Sequence, residues 1–186
     1  MRSLFAATLI VTIAAIASAQ DKKGTPVELA GLKSTTPGDW KEEAPSSSMR
    51  LMQFKIPKAG GDPEDAELAL FKTPGGGSVQ ANLERQEKKF EIPAGKKAGD
   101  VIKTEKIKFG PHEAIYQDIQ GTYLKKFPPA DPNAKVTKVP DFRQLYVIFE
   151  TKEGDKTTLY SMYMIGPIQT IEKHKKDFEE WIKNFK

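Results

Sequence analysis

Three glycines and a serine, Gly75-Gly76-Gly77-Ser78, stand directly before a stretch with helical spacing. Consecutive glycines leave backbone N–H groups unshielded, and a helix start adds positive potential, so an anion can dock at such a turn. Asn82 follows Ser78 by one turn, and Arg85 lies on a neighbouring face. Gly76, Gly77, Ser78, Asn82 and Arg85 therefore form the candidate set for a small anionic ligand, or for hydrolysis, over residues 75–85. The structural alternative gives Ser78 to capping, Asn82 to solvent and Arg85 to a pair with Glu84 or a neighbouring strand. A phosphate loop with a Gly-Lys-Ser/Thr ending is excluded, because no lysine separates Gly77 from Ser78.

Other reactive side chains assemble into less. His112 follows Pro111 at a strand start, and His174 sits among Lys173, Lys175 and Lys176, where a bound cation is disfavoured; both read as solvated surface residues. No metal ligand set is expected. Ser46-Ser47-Ser48 is not a nucleophile elbow, and Ser161 lies inside a strand pattern. Glu42-Glu43 and Glu179-Glu180 are adjacent charges with no reason to share a cavity, so no catalytic residue is assigned. Tyr116, Tyr123, Tyr146, Tyr160 and Tyr163 all fall in strand patterns, where packing is the simpler role and a tyrosine-lined groove the alternative.

The chain has 186 residues and no cysteine, which excludes disulfides, thiol nucleophiles and cysteine-ligated metal centres. Arg2, the apolar run Leu4 to Ile16 and the small residues Ala17-Ser18-Ala19 form a signal-peptide pattern over 1–19, predicting export and a mature start at Gln20. That apolar run is short of the about 17 to 25 residues that span hydrocarbon. The expected location is extracytoplasmic, periplasmic or secreted, with no membrane span after cleavage. Basic residues number 29 against 25 acidic, mixed along the chain. The clustered basic face of a nucleic-acid binder is missing, so no nucleic acid is expected as a partner.

The elements that must position these residues follow from periodicity. Residues 20–36 read as a polar lead-in and 37–186 as one domain. Met52, Phe54 and Ile56 share one parity of a strand, and Ala66, Leu68 and Leu70 one parity of its hairpin partner. Val79, Leu83, Gln86 and Phe90 recur at helical spacing, predicting a helix from Val79 to Phe90 capped by Ser78. Strands are predicted at 101–109 and 112–123; polar residues on both parities of the second make it an edge or strongly twisted strand. Four prolines over 128–140 predict a long loop. Strands at 142–150 and 157–165 precede a helix whose stripe holds Ile168, Ile171, Lys175, Phe178, Ile182 and Phe185, with Trp181 beside it. Lys175 on that stripe must bury its stem and send its amine to water. The fold class is α+β, an antiparallel sheet flanked by helices.

Several of these strings carry a resemblance. Pro37-Gly38-Asp39-Trp40, the Met49 to Pro57 strand, and Tyr163-Met164-Ile165-Gly166-Pro167 before a helix ending in Phe178, Trp181 and Phe185 resemble the PsbP/Mog1-like group over residues 37–186. The chain is also similar to exported bacterial proteins carrying Met49-Arg50, the Gly75 to Ser78 turn and an Asn82 to Arg85 helix segment. The resemblance implies an α/β/α sandwich. Its members include photosystem-associated lumenal proteins and a Ran-binding protein, but no residue of either binding role carries over position by position. With no cofactor fingerprint in the sequence, none is expected. The functional expectation is a non-enzymatic exported domain that binds a protein or cell-envelope component, through an apolar or tyrosine-lined patch on one sheet face or beneath the proline-rich segment.

Overall fold

The computed structural model describes residues 23–127 and 133–186; the signal-peptide pattern lies outside them. The described elements are β1 (Pro26–Leu29), β2 (Leu32–Thr35), β3 (Lys41–Glu43), β4 (Arg50–Ile56), β5 (Ala66–Pro74), α1 (Val79–Glu87), β6 (Phe90–Glu91), α2 (Ala98–Val101), β7 (Ile102–Phe109), β8 (His112–Phe127), β9 (Lys135–Glu153), β10 (Lys156–Pro167) and α3 (Ile168–Lys183). An eight-stranded antiparallel sheet runs β3-β4-β5-β10-β9-β8-β6, with β7 sharing the outer side of β8. Helices flank it in the expected α/β/α arrangement.

Strand alternation divides the side chains between two faces. On the first, Phe54, Leu68, Leu70, Leu145, Val147, Phe149, Met162 and Met164 pack with Ile171, Phe178, Trp181 and Ile182 of α3 and with Phe185. Phe178 and Ile182 are buried there as predicted, each stabilising the fold by about 1.5–3 kcal/mol. The N-terminus of α3 follows Pro167, which has no side-chain acceptor to offer. Asp62, in the connection between β4 and β5, supplies one: its carboxylate accepts from the Thr170 backbone N–H at 2.7 Å and from the Thr170 hydroxyl at 2.5 Å.

The expected lead-in is, from Pro26, a hairpin in a separate two-stranded sheet. Ala30 and Gly31 both take positive φ, 53° and 79°, the twist that joins two strands by two residues. Val27 and Leu29 alternate into the first-face core. Trp40 follows them and meets Trp181 edge-on at 5.6 Å.

Four other expectations are corrected. The strand β8 is interior, between β9 and the β6/β7 pair, because its polar residues are partnered across the sheet. Asp118 accepts two hydrogen bonds from Arg143, at 2.8 and 2.6 Å, and an ion pair from Lys175 at 3.2 Å. Arg143 also reaches Glu172 of α3. The Lys175 side chain remains 25% exposed, as its place on the stripe required, and its amine is held by Glu179 at 2.7 Å and donates to the Tyr116 hydroxyl at 2.9 Å. Burial opposes its charge, yet the hydrogen bonds to Glu179 and Tyr116 outweigh it and raise its pKa. His174 is buried, not solvated, with Nε2 2.8 Å from the Pro57 carbonyl oxygen. The helix α1 stops at Glu87, and Phe90 belongs to β6. Residues 135–140, expected in a loop, open β9; Pro140 and Asp141 stand opposite the single residue Thr122, a bulge with Asp141 at φ 56°. The bulge accommodates a proline that regular pairing would reject.

Candidate binding site on the second sheet face

The second face is covered unevenly. Leu83 of α1 packs with Tyr146, Ile148 and Leu159, and a separate cluster joins Phe90, Ile119, Phe142 and Ile165. The turn before α1 is built from the residues singled out in the sequence. Ser78 caps the helix, its hydroxyl accepting from the Ala81 N–H at 3.1 Å. Asn82 is buried rather than facing solvent, and its Nδ2 donates to the Gly76 and Ser78 carbonyls at 3.2 and 2.9 Å. Its Oδ1 accepts from Arg85 at 2.9 Å. The Gly76 and Gly77 N–H groups donate inside the turn, to the carbonyls of Thr73 and Gly75 at 3.2 and 2.8 Å. Gly76, Ser78, Asn82 and Arg85 are thus one hydrogen-bonded unit that fixes the start and direction of α1.

That direction brings the last turn of α1 and the residue beyond it toward Tyr163 of β10. Lys89 places its amine 5.4 Å from the Tyr163 ring centre and donates to Gln86 at 2.7 Å. From β4, Arg50 donates to the Tyr163 hydroxyl at 2.9 Å and pairs with Glu67 of β5 at 2.7 Å. The Tyr163 hydroxyl in turn donates to Glu67 at 2.9 Å, closing a three-membered ring of polar groups drawn from three adjacent strands. Gln53 accepts from Arg50 at 2.7 Å, and Phe71 packs against the Tyr163 ring at 5.5 Å.

Burial, then the positive charges of Arg85 and Arg50, push the Lys89 amine down to about 8. Burial acts against Arg50 as well, but the hydrogen bonds and charges of Glu67 and Tyr163 together outweigh it and its pKa rises. Burial, reinforced by the Glu67 charge, raises the Tyr163 hydroxyl well above its ordinary value. It is a fixed hydrogen-bonding group at neutral pH and not a nucleophile.

Beside this cluster lies an open concavity of about 460 Å³. Tyr123, Phe142 and Ile165 supply its apolar surface, and Glu67 connects it to the Arg50–Tyr163 ring. Tyr123 stacks on Phe142 at 5.6 Å and meets Phe90 at 5.4 Å. Two exposed ion pairs border it, Lys55–Asp65 at 3.2 Å and Lys125–Glu64 at 3.4 Å. Gly121 lets the neighbouring chain approach: a Cβ there would lie 2.5 Å from the Glu91 carbonyl oxygen and force β6 off β8. Aromatic surface, half-buried hydrogen-bonding groups and bordering charges suit recognition of a ligand with both apolar and polar parts.

Arg50, Glu67 and Lys89 were not singled out in the sequence as site residues, and Tyr163 was named only among the five tyrosines of the alternative groove, because only the register of β4, β5 and β10 joins Arg50, Glu67 and Tyr163. The usable signal was the alternation that puts Glu67 on the parity opposite Ala66, Leu68 and Leu70. Among the described residues, no group of three or more His, Cys, Asp or Glu is placed to hold a metal ion. No helix among them is long and apolar enough to cross a membrane.

No family model matches the chain, and no curated protein does. Among solved structures, LpqN of Mycobacterium tuberculosis, described as involved in cell envelope biogenesis, is similar with a TM-score of 0.50 and 12% identity over 86% of this chain and 82% of that one. A protein of unknown function from Pseudomonas aeruginosa, PA94, matches with a TM-score of 0.40 and 13% identity over 84% and 92%. At such identity the LpqN match is a likeness of fold.

Proposed function

We propose that the chain is an exported, non-enzymatic domain that binds an extracytoplasmic protein or cell-envelope component on its second sheet face. The observation that carries this reading is the open concavity formed by Tyr123, Phe142 and Ile165 beside the Arg50–Glu67–Tyr163 ring. The signal-peptide pattern over 1–19 supports export. The PsbP/Mog1-like strings and the fold shared with LpqN, itself tied to envelope biogenesis, support an envelope setting. The test is chemical cross-linking in the native extracytoplasmic fraction with wild type, Tyr123→Ser and Tyr163→Phe. Loss of one specific cross-linked partner in the variants is expected; the same partners at the same yield in all three defeat the reading.

A second reading, a small anion, is favoured by the positive charges of Arg85 and Arg50, both of which act on the Lys89 amine. In it Gly76, Gly77, Ser78 and Asn82 form the scaffold and Arg85 with Lys89 the ligand contacts. Sulfate titration followed by NMR shifts of α1 amides separates it from the first: saturable shifts that Arg85→Ala abolishes support it, and identical, unsaturable shifts in both proteins reject it.

A further inference from the structure

Past Tyr123 the sheet narrows to two strands. The last backbone tie of β8 to anything but β9 is Leu124 N–H to the Lys89 carbonyl at 2.8 Å. Beyond it, Leu124, Lys125, Lys126 and Phe127 pair only with Lys138, Thr137, Val136 and Lys135. Four lysines face one aspartate between positions 121 and 140. Lys125 and Lys138 are paired with Glu64 and Glu91, whereas Lys126 and Lys135 have no carboxylate partner among the described residues. Phe127 is 81% exposed, the most exposed large apolar residue described, and Val136 is 42% exposed.

Register and strand alternation put Phe127 and Lys135 on one side of this ribbon and Val136 and Lys126 on the other. A folded protein partner lying against the ribbon covers one side. An apolar residue and an unpaired cation on each side instead match surroundings that are the same all round, apolar within and anionic at the surface. We propose that the outer part of the β8–β9 ribbon docks peripherally on a membrane surface rich in anionic lipids, with Phe127 and Val136 among the headgroups and Lys126 and Lys135 against their phosphates. Aromatic and lysine side chains suit that boundary, the ring in the apolar margin and the ammonium held out in the polar layer. The inference is independent of the second-face site, since none of these four residues contributes to it.

The experiment is co-sedimentation of the chain beginning at Gln20, which keeps every described element, with phosphatidylcholine vesicles made with and without phosphatidylglycerol, at low and high salt. Binding is expected only with phosphatidylglycerol and is expected to weaken as salt rises. Lys126→Gln and Lys135→Gln should each weaken it about fivefold, the effect of one lysine near such a surface. Phe127→Ser should weaken it by a larger factor without moving the melting temperature, because the ring is already in water. Absence of binding, equal binding to uncharged vesicles, or binding unchanged by Phe127→Ser each overturns the proposal; the last result would leave a purely ionic attraction. Cross-linking lost in Tyr163→Phe but kept in Phe127→Ser would show the second-face site acting on its own.

Discussion

The two faces of one sheet handle buried charge in opposite ways. Beneath α3, Arg143 and Lys175 meet Asp118, Glu172 and Glu179, so each cation has at least two carboxylates within reach. On the other face Arg50 shares Glu67 with Tyr163, while the Lys89 amine meets an amide oxygen and an aromatic ring and makes no ion pair among the described residues. The first arrangement fixes a helix to a sheet and leaves little capacity for a ligand. The second leaves positive potential beside an open concavity, and unmet electrostatic demand of this kind is what a binding partner can satisfy.

The contrast can be broken most strongly beneath α3. Phe178→Ala should cost about 3–5 kcal/mol, read from denaturant melts, because its cavity is closed on every side; a change below about 0.5 kcal/mol would mean that α3 does not close the core. Asp118→Ala should cost about 3–5 kcal/mol by leaving Arg143 and Lys175 short of a buried counter-charge. Adding Arg143→Met to that variant should recover much of the loss. Failure of the double variant to recover would show that Asp118 acts through something other than these ion pairs.

Smaller effects sharpen the comparison. Asp62→Ala should cost about 1–2 kcal/mol through loss of the α3 cap, with Asp62→Asn retaining part of it. On the second face Tyr163→Phe should cost only about 0.5–1.5 kcal/mol in stability, while removing the cross-linked partner. A larger stability loss than binding loss would place Tyr163 with the structural residues. Lys89 gives the subtlest signature. Its amine is held at about 8, below the 10.5 of an unburied lysine, so between those values the unfolded chain binds more protons than the folded one. Its contribution to stability therefore rises with pH from about 8 upward. Buried tyrosines with raised pKa values act in the opposite sense above pH 10, so the difference between wild type and Lys89→Met, followed from pH 7 to 10 by urea midpoints, isolates the effect. A constant difference across that range would mean that the amine is in contact with water.

How much of this the sequence disclosed depended on whether a signal was local. Alternation in β4, β5, β9 and β10 and the stripe of α3 are properties of consecutive residues, and the Ser78 cap needs only its own turn. The interior place of β8 was hidden because Gln117 and Asp118 read as polar and therefore exposed, when partners distant in sequence, Glu87 and Arg143, make their burial tolerable. The β1–β2 hairpin was missed because Ala30 gives no sign of its positive φ. Pro140 concealed the start of β9, which only the bulge permits. Of the second-face cluster, Arg85 was singled out in advance for an anion and Tyr163 among the tyrosines of a groove; Arg50, Glu67 and Tyr163 become one site only through strand register, and Lys89 joins them from the turn after α1.

Residues 33 and 186 exchange backbone hydrogen bonds, Lys33 N–H to the Lys186 carbonyl at 2.9 Å and Lys186 N–H to the Lys33 carbonyl at 3.2 Å. Phe185, next to that pair, packs tilted against Phe109 at 4.6 Å and meets Trp181 edge-on at 5.1 Å. The β1–β2 hairpin, first of the described elements, is therefore clasped by the residues that follow α3. A chain emerging in order cannot complete its native fold until Lys186 is free of the exit tunnel. Such a delay keeps the polypeptide threadable until α3 and the residues after it have emerged, the condition under which an unfolded-chain translocation channel can accept a chain.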